Sequence, residues 1–164
     1  MLPSPAAGWV AVELERRFGL PKWQIAMSAT DANRFVLRLA RMLTGRPKVC
    51  VMDWCYHGTV DETLAVLDSK GKVVSRPGAI GPQVDPALTT RVVPFNDLDA
   101  LEAALAVGDV ACVLMEPALT NIGIVLPDAG YLNRVREMTR DFGSLLVIDE
   151  THTDRKSTRL NSSH

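Results

Sequence analysis

Apolar residues recur along the chain in two alternating patterns, and each pattern predicts a different element. Spacings of three and four residues are typical of amphipathic helices, whereas short unbroken apolar runs are typical of buried strands. The first pattern predicts helices over residues 6–18, 30–45, 96–105 and 128–143, with N-caps at Ser4, Thr30, Asn96 and Asp128. The second predicts strands at KVCVMD, RVVPF, DVACVLMEP and LLVID, and a shorter β-like run at WQIAMS.

Residues 64–74 carry a turn signal, Asp68-Ser69-Lys70-Gly71, and read as a hairpin. The remaining strands are apolar on both faces and alternate with amphipathic helices. That order predicts an α/β fold with a mainly parallel sheet and helices on both faces. Ligands bind at the carboxyl ends of the strands in such sheets.

Composition narrows the class of protein. The 164 residues are 47% hydrophobic and 23% charged with a net charge of −1, which argues against a nucleic-acid partner. No apolar run approaches the roughly 20 residues of a membrane span, and the N-terminus lacks a signal pattern. Cys50, Cys55 and Cys112 form no C-x-x-C pair, so we expect buried thiols in a reducing cytoplasm and no metal site.

Residues 154–164, DRKSTRLNSSH, have no periodicity and little hydrophobicity. Their back-translation matches a common sequencing adapter read in one frame. We therefore interpret them as an artefact that is expected to be disordered and that forms no part of the fold. Residues 1–153 are then expected to be one part of a larger domain.

The segment LLVIDETHT, residues 145–153, allows two interpretations. In helicase-type ATPases an Asp-Glu-x-His at a strand end serves magnesium and water. In pyridoxal-phosphate (PLP) enzymes a strand-end aspartate pairs with the pyridine nitrogen of the cofactor. The helicase interpretation needs a G-x-x-x-x-G-K-[ST] phosphate loop, and the chain contains none.

Polar clusters follow the other predicted strands. The backbone at Ser28-Ala29-Thr30 could bind a phosphate at a helix start, although a plain N-cap explains the pattern equally well. Tyr56 could stack on a planar ring or could simply pack. A buried Asp149 needs a partner, either a cationic nitrogen or the start of a following helix. These alternatives stay open when each cluster is taken alone.

Four motifs in this order, SATDA, CYHG, MEPALTN and PDAGYLNRVREMTRDFGSLLVIDE, closely resemble those of class III PLP-dependent aminotransferases, including the glutamate-semialdehyde aminomutase group. The likeness runs from about residue 18 to 153. It implies the central part of the large domain of the aspartate-aminotransferase-like PLP-dependent fold. It also implies PLP as cofactor, a small-molecule amino donor and carbonyl acceptor, and a homodimer.

The resemblance implies roles for individual residues. Ser28, Ala29 and Thr30 would form the phosphate loop, with Ala29 and Thr30 as the direct contacts. Tyr56 and Thr151 would lie on opposite faces of the pyridine ring, and Asp149 would pair with its nitrogen. The implied pocket residues are His57 as support for the turn, and Glu116 and Asn121 near the cofactor or substrate.

The sequence departs from the family pattern in three ways. Asp31 stands where glutamate is commoner, and Thr151-His152 replaces a commoner Val-Met or Val-Gln pair. The lysine that would hold the cofactor covalently is expected downstream of Asp149, where this chain has only Lys156. We therefore expect a catalytically inactive fragment of an active parent; the alternatives are a DExH-type ATPase fragment and a degenerate homologue without catalysis.

Overall fold

The computed structural model describes residues 4–80 and 84–153. Within these ranges the elements are α1 (Pro5–Phe18), α2 (Ala29–Thr44), β1 (Lys48–Met52), β2 (Ala65–Leu67), β3 (Val73–Ser75), β4 (Thr90–Val93), α3 (Leu98–Ala106), β5 (Val110–Met115), α4 (Tyr131–Asp141) and β6 (Leu145–Ile148). Short 3-10 turns cover Asp61–Thr63 and Pro86–Leu88. Residues 154–164, which we expected to be an artefact without structure, lie outside the described residues.

Four of the strands form a parallel sheet in the order β4, β1, β5, β6. The central strands are in close register, with Val51 opposite both Val92 and Leu114. Because all four strands run in one direction, the loops that follow them meet at one edge of the sheet. The polar clusters predicted from the sequence lie in those loops and at the start of α2.

The core lies on both sides of the central strands. Every residue of β5 is buried, which requires cover on both faces of the sheet. Helix α3 connects β4 to β5 and helix α4 connects β5 to β6, so both connections cross the sheet in the same direction. The two helices also contact each other, so they lie on the same face of the sheet. Helix α2 packs against β5 through Leu37 and Ala40 and covers the other face. The predicted α/β fold is confirmed.

The hairpin is also confirmed. Strands β2 and β3 pair antiparallel, with Val66 opposite Val74. The turn is held by the Asp68 carboxylate, which accepts hydrogen bonds from the backbone N–H groups of Lys70 and Lys72. Gly71 takes a left-handed φ of 72°, as the turn requires.

Three predicted helix caps are wrong by one or two residues. Ser28 rather than Thr30 caps α2, because the Ser28 hydroxyl accepts from Asp31 N at 3.1 Å. Asp97 rather than Asn96 caps α3, and Gly130 rather than Asp128 precedes α4. In each case more than one residue could serve as cap, and local backbone geometry selects between them.

The predicted strand at WQIAMS is also wrong, since residues 23–28 form no regular element. A strand needs a neighbour to pair with, and none lies beside this segment in the described chain. Its Ile25 and Met27 are exposed, and α1 buries no residue. None of the helices in the described ranges is long and apolar enough to cross a membrane.

Candidate functional site

Asp149 lies directly after β6, and its carboxylate is held by three residues. Oδ2 accepts hydrogen bonds from Asn33 Nδ2 and from His57 Nδ1, each at 2.9 Å. Oδ1 accepts from the backbone N–H of Thr151 at 3.1 Å and from its hydroxyl at 2.6 Å. The Asp149 side chain is 7% exposed and that of His57 is fully buried. A strand-end carboxylate is thus fixed in position by donors from α2, from the β1 loop and from its own loop.

These donors keep Asp149 ionised. Burial by itself would raise the pKa of the carboxyl group, but the hydrogen bonds from His57, Thr151 and Asn33 outweigh it and hold the pKa well below its usual range. A carboxylate without a proton can accept a hydrogen bond from a protonated ring nitrogen and balance its charge.

The loop after β1 docks on the start of α2 through a close backbone approach. Gly58 has a φ of 81°, and a Cβ placed there would lie 2.1 Å from the Thr30 hydroxyl oxygen. That oxygen accepts from Thr59 N at 3.2 Å. Asn33 strengthens the contact by donating also to His57 O at 3.1 Å. The docking brings the predicted phosphate loop next to the Asp149 cluster.

The start of α2 offers donors for an anion. The first N–H groups of a helix have no partner within the helix. In α2 the N–H groups of Ala29 and Thr30 come first, and the N–H group of Asp31 after them donates to the Ser28 hydroxyl. Ser28 also donates its hydroxyl proton to Asp31 Oδ2 at 3.0 Å, so its side chain is engaged in capping. Ala29 and Thr30 are therefore the better placed of the three predicted phosphate residues.

Tyr56 lies in the same loop and is 41% exposed. The guanidinium carbon of Arg76 is 5.9 Å from the Tyr56 ring centroid and 5.7 Å from that of Trp54. Arg76 Nη1 donates to Cys55 O, between the two rings, at 2.7 Å. The Tyr56 ring therefore stands at the edge of the site with a cation beside it.

Glu116 and Asn121 follow β5 and reach the same edge. Glu116 is 3% exposed, and its Oε2 accepts from Thr120 N at 3.2 Å and Thr120 Oγ1 at 2.6 Å. Thr120 Oγ1 lies 3.2 Å from His152 Nδ1. Since the Thr120 proton goes to Glu116, the hydroxyl accepts from His152. Asn121 Nδ2 donates to Trp54 O at 3.3 Å, which ties this loop to the Tyr56 loop.

The described lysines lie away from this cluster. Lys48 is at the opposite edge of the sheet, where its Nζ donates to Ala87 O and pairs with Asp109. Lys70 and Lys72 lie at the hairpin turn, and Lys22 is exposed between α1 and α2. Lys156 lies outside the described residues.

Solved structures that resemble this fold include an aminomutase and several transaminases. A glutamate-1-semialdehyde aminomutase from Pseudomonas aeruginosa PAO1 superposes with a TM-score of 0.89 at 58% identity, covering 93% of this chain and 34% of that one. A lysine-to-alanine variant of the same enzyme was solved in complex with PMP. A transaminase with PLP bound gives a TM-score of 0.78 at 30% identity, covering 93% of this chain and 36% of that one.

The family model for aminotransferase class-III matches residues 4–157, so the chain belongs to this family. The glutamate-1-semialdehyde 2,1-aminomutase of Acidobacterium capsulatum is 40% identical over 153 residues, covering 92% of this chain and 36% of that protein. The chain thus spans about a third of the length of the relatives it matches. The match leaves the helicase interpretation of LLVIDETHT without support.

The structure gathers Thr30, Tyr56, His57, Asp149 and Thr151 at one edge of the sheet, with the two β5-loop residues beside them. It adds Asn33 and Arg76, which sequence reasoning missed. Asn33 could have been found, because the helical repeat places it one turn from Thr30 on a face otherwise apolar. No sequence pattern pointed to Arg76. It follows the hairpin in the chain and lies near the two rings because of how the hairpin packs against the β1 loop.

Proposed function

We propose that this chain forms part of a PLP-dependent enzyme that moves an amino group between an amino compound and a carbonyl compound. The proposal rests on the Asp149 carboxylate, which hydrogen bonds from Asn33, His57 and Thr151 fix in position at a strand end. A buried carboxylate with this much support suits a charged partner, and a protonated pyridine nitrogen is such a partner.

The residues fit this cofactor by the chemistry of their groups. Ala29 and Thr30 bind the phosphate through free N–H groups at the start of α2 and through the Thr30 hydroxyl proton. Asp149 would pair with the ring nitrogen, and Tyr56 and Thr151 would hold the ring from either side. The cofactor supplies an electron sink when bound, and the Asp149 charge keeps its ring nitrogen protonated.

Asp149 already accepts from four donor groups, which is about the full capacity of a carboxylate. The Thr151 hydroxyl can rotate about χ1, whereas the other three donors are held by backbone or by burial. We infer that this hydroxyl turns away when the ring nitrogen binds. His57 and Asn33 then keep the carboxylate in place.

Glu116 and Asn121 line the pocket, held by Thr120 and by the Trp54 carbonyl. None of the described lysines approaches Asp149, so the lysine that carries the cofactor and moves the substrate proton is supplied outside the described residues. The segment alone is then without turnover. The names of the relatives favour an aminomutase over a transaminase.

A homodimer and a cytoplasmic location complete the proposal. Trp9 and Val12 of α1 and Met42 and Leu43 of α2 expose large apolar side chains, which suits burial at a subunit interface of the parent protein. The three cysteines are free and buried, which suits a reducing compartment. Sedimentation of the full-length protein at several concentrations tests the dimer, and a monomer at every concentration would refute it.

We also propose that residues 154–164 are not native sequence and that residues 1–153 are part of a larger PLP-binding domain. The family match extends to residue 157 and so includes the beginning of this segment. Resequencing across the junction decides the matter. A reading frame that continues to a strand-borne lysine supports the proposal, and a genuine stop after residue 164 refutes it.

The cofactor is tested by titrating the full-length protein with PLP and following the visible absorbance. We expect Asp149→Asn to weaken binding at least about tenfold, since the ring nitrogen loses its counter-charge; this corresponds to about 1.4 kcal/mol. The matched control is Asp109→Asn, a carboxylate that pairs with Arg91 at the opposite edge of the sheet. A wild-type protein that is folded but binds no PLP would refute the proposal, as would equal affinity in the Asp149 variant.

A further inference from the structure

Arg76 links the hairpin to the loop that carries Tyr56. It directly follows β3, where its backbone N–H donates to Leu64 O at 2.9 Å. Its side chain then crosses to the β1 loop and donates to Cys55 O at 2.7 Å. The guanidinium lies within 6 Å of two ring centroids, those of Trp54 and Tyr56. One side chain thus contacts three successive residues of this loop.

The loop needs such a contact. Trp54 has a φ of 60°, a left-handed conformation that is strained for a residue other than glycine. Trp54 and Tyr56 are both partly exposed, at 39% and 41%, so burial alone does not fix their rings. The Tyr56 hydroxyl has no hydrogen-bond partner within residues 4–80 and 84–153. The contact with the Arg76 guanidinium is therefore one that can orient the Tyr56 ring.

Arg76 is suited to this task by its charge and shape. Among the described residues Arg76 forms no ion pair with a carboxylate. Its guanidinium charge therefore lies beside the two rings without a counter-charge from these residues. A guanidinium is planar and stacks on aromatic faces, which the rounded ammonium of lysine does less well.

We propose that Arg76 is a positioning residue that sets the plane of the Tyr56 ring and thereby the affinity of the site for PLP. The inference rests on the proposed function, in which Tyr56 lies over the pyridine ring. Arg76 acts through Tyr56 and does not itself touch the cofactor. The hairpin is joined to the loop that carries Tyr56 by this side chain and by the hydrogen bond that Leu67 N donates to Asp53 Oδ1 at 3.0 Å. Of these two contacts, the Arg76 side chain is the one that reaches the aromatic rings.

The first test needs no cofactor. In the full-length apoprotein, the fluorescence of Trp54 is obtained as the difference between each protein and its Trp54→Phe counterpart. Arg76→Ala is expected to make Trp54 more accessible to acrylamide, and Arg76→Lys to have an intermediate effect. The matched control is Arg34→Ala, which removes a guanidinium that donates to the carbonyl of Thr59 without a ring contact. Unchanged quenching in Arg76→Ala would overturn the inference.

The second test is a double-mutant cycle on PLP affinity with Arg76→Ala and Tyr56→Leu. We expect Arg76→Ala to weaken binding about tenfold in the wild-type background and by less than about twofold when Tyr56 is already leucine, because a residue acting through Tyr56 has no effect without it. Arg76→Lys should restore part of the affinity. Arg91→Ala, which removes a guanidinium that pairs with Asp109 at the opposite edge of the sheet, should leave the affinity unchanged. Thermal unfolding of each apoprotein shows whether a variant has lost stability instead.

The outcomes separate this inference from the proposed function. If the wild-type protein binds PLP and Arg76→Ala binds it equally well, the inference about Arg76 is overturned and the function stands. The same holds if the loss persists undiminished in the Tyr56→Leu background. If the folded wild-type protein binds no PLP, the proposed function fails and the inference fails with it.

Discussion

Replacing Gly58 with alanine tests the contact that joins the two halves of the site. Gly58 has a φ of 81°, and an added Cβ would lie 2.1 Å from Thr30 Oγ1, 3.1 Å from Thr30 Cβ and 3.2 Å from Thr30 Cα. The side-chain oxygen can rotate away, but the two carbons belong to the start of α2 and move only with the helix. The substitution therefore forces the loop and the helix apart.

The expected loss of stability is the sum of three effects. A left-handed conformation costs alanine about 1 kcal/mol relative to glycine. Rotation of Thr30 breaks its hydrogen bond from Thr59 N, which contributes about 1 kcal/mol. The remaining crowding against Thr30 Cβ and Cα adds about 1 kcal/mol, the lower end of the range for overpacking. We expect Gly58→Ala to lower the free energy of unfolding by about 3 kcal/mol.

The assay is urea unfolding of the full-length protein followed by circular dichroism, with Gly71→Ala as the matched control. Gly71 has a similar φ of 72°, but a Cβ there meets nothing within 4 Å, so the control measures the conformational cost alone, about 1 kcal/mol. Adding Thr30→Ala to Gly58→Ala removes the Thr30 side-chain oxygen and should recover part of the extra loss of stability relative to Gly71→Ala. If Gly58→Ala destabilises no more than Gly71→Ala, the close approach of loop and helix is wrong.

Three further outcomes follow from the core, from a helix cap and from a carboxylate. Leu114→Ala, at a fully buried position of β5, should lower the free energy of unfolding by about 2–5 kcal/mol. The control is Leu126→Ala at an exposed position, which should change it by less than about 0.5 kcal/mol. Similar values for the two variants in urea unfolding would contradict the placement of Leu114 in the core. Asp97→Ala removes the cap of α3 and should cost about 1 kcal/mol in the same assay, and no loss would mean that Ala100 N is satisfied by water. Because the pKa of Asp149 is lowered on folding, its contribution to stability is present above its unfolded value of about 4 and is lost as the pH falls towards its lower folded value. Between pH 7 and pH 3 the free energy of unfolding should therefore fall less for Asp149→Asn than for the wild-type protein. Parallel curves would contradict a lowered pKa for Asp149.

Local patterns in the sequence were sufficient for most of the elements. The apolar runs of β1 and β5 and the spacing in α2 and α4 predict those elements to within a few residues, because the pattern of burial is imposed on the sequence. The apolar run of β6 also predicts its strand, although Leu145 and Ile148 are exposed at the edge of the sheet. The turn at Asp68 and Gly71 likewise specifies its hairpin. The run at WQIAMS has the same character but forms no strand, since pairing depends on a neighbour that no local pattern reports.

The site was predicted less completely than the fold. Residues Thr30, Tyr56 and Asp149 were found because they stand at the ends of strands or at the start of a helix, where the motifs also place them. Their roles toward a cofactor stay predictions. The contact of Asn33 with Asp149 spans 116 residues, and that of Arg76 with Cys55 joins a hairpin to a different loop.

The fold class, the family and the sheet edge of the candidate site could all be predicted from the sequence. Those properties depend on periodicity and on short motifs, and both are local. The packing of the elements was needed to show which side chains donate hydrogen bonds to Asp149. It was also needed to show that Gly58 lies against Thr30 and that Arg76 reaches the rings of Trp54 and Tyr56. These contacts join residues that are distant in the chain, and their distances are set by how the helices and strands pack.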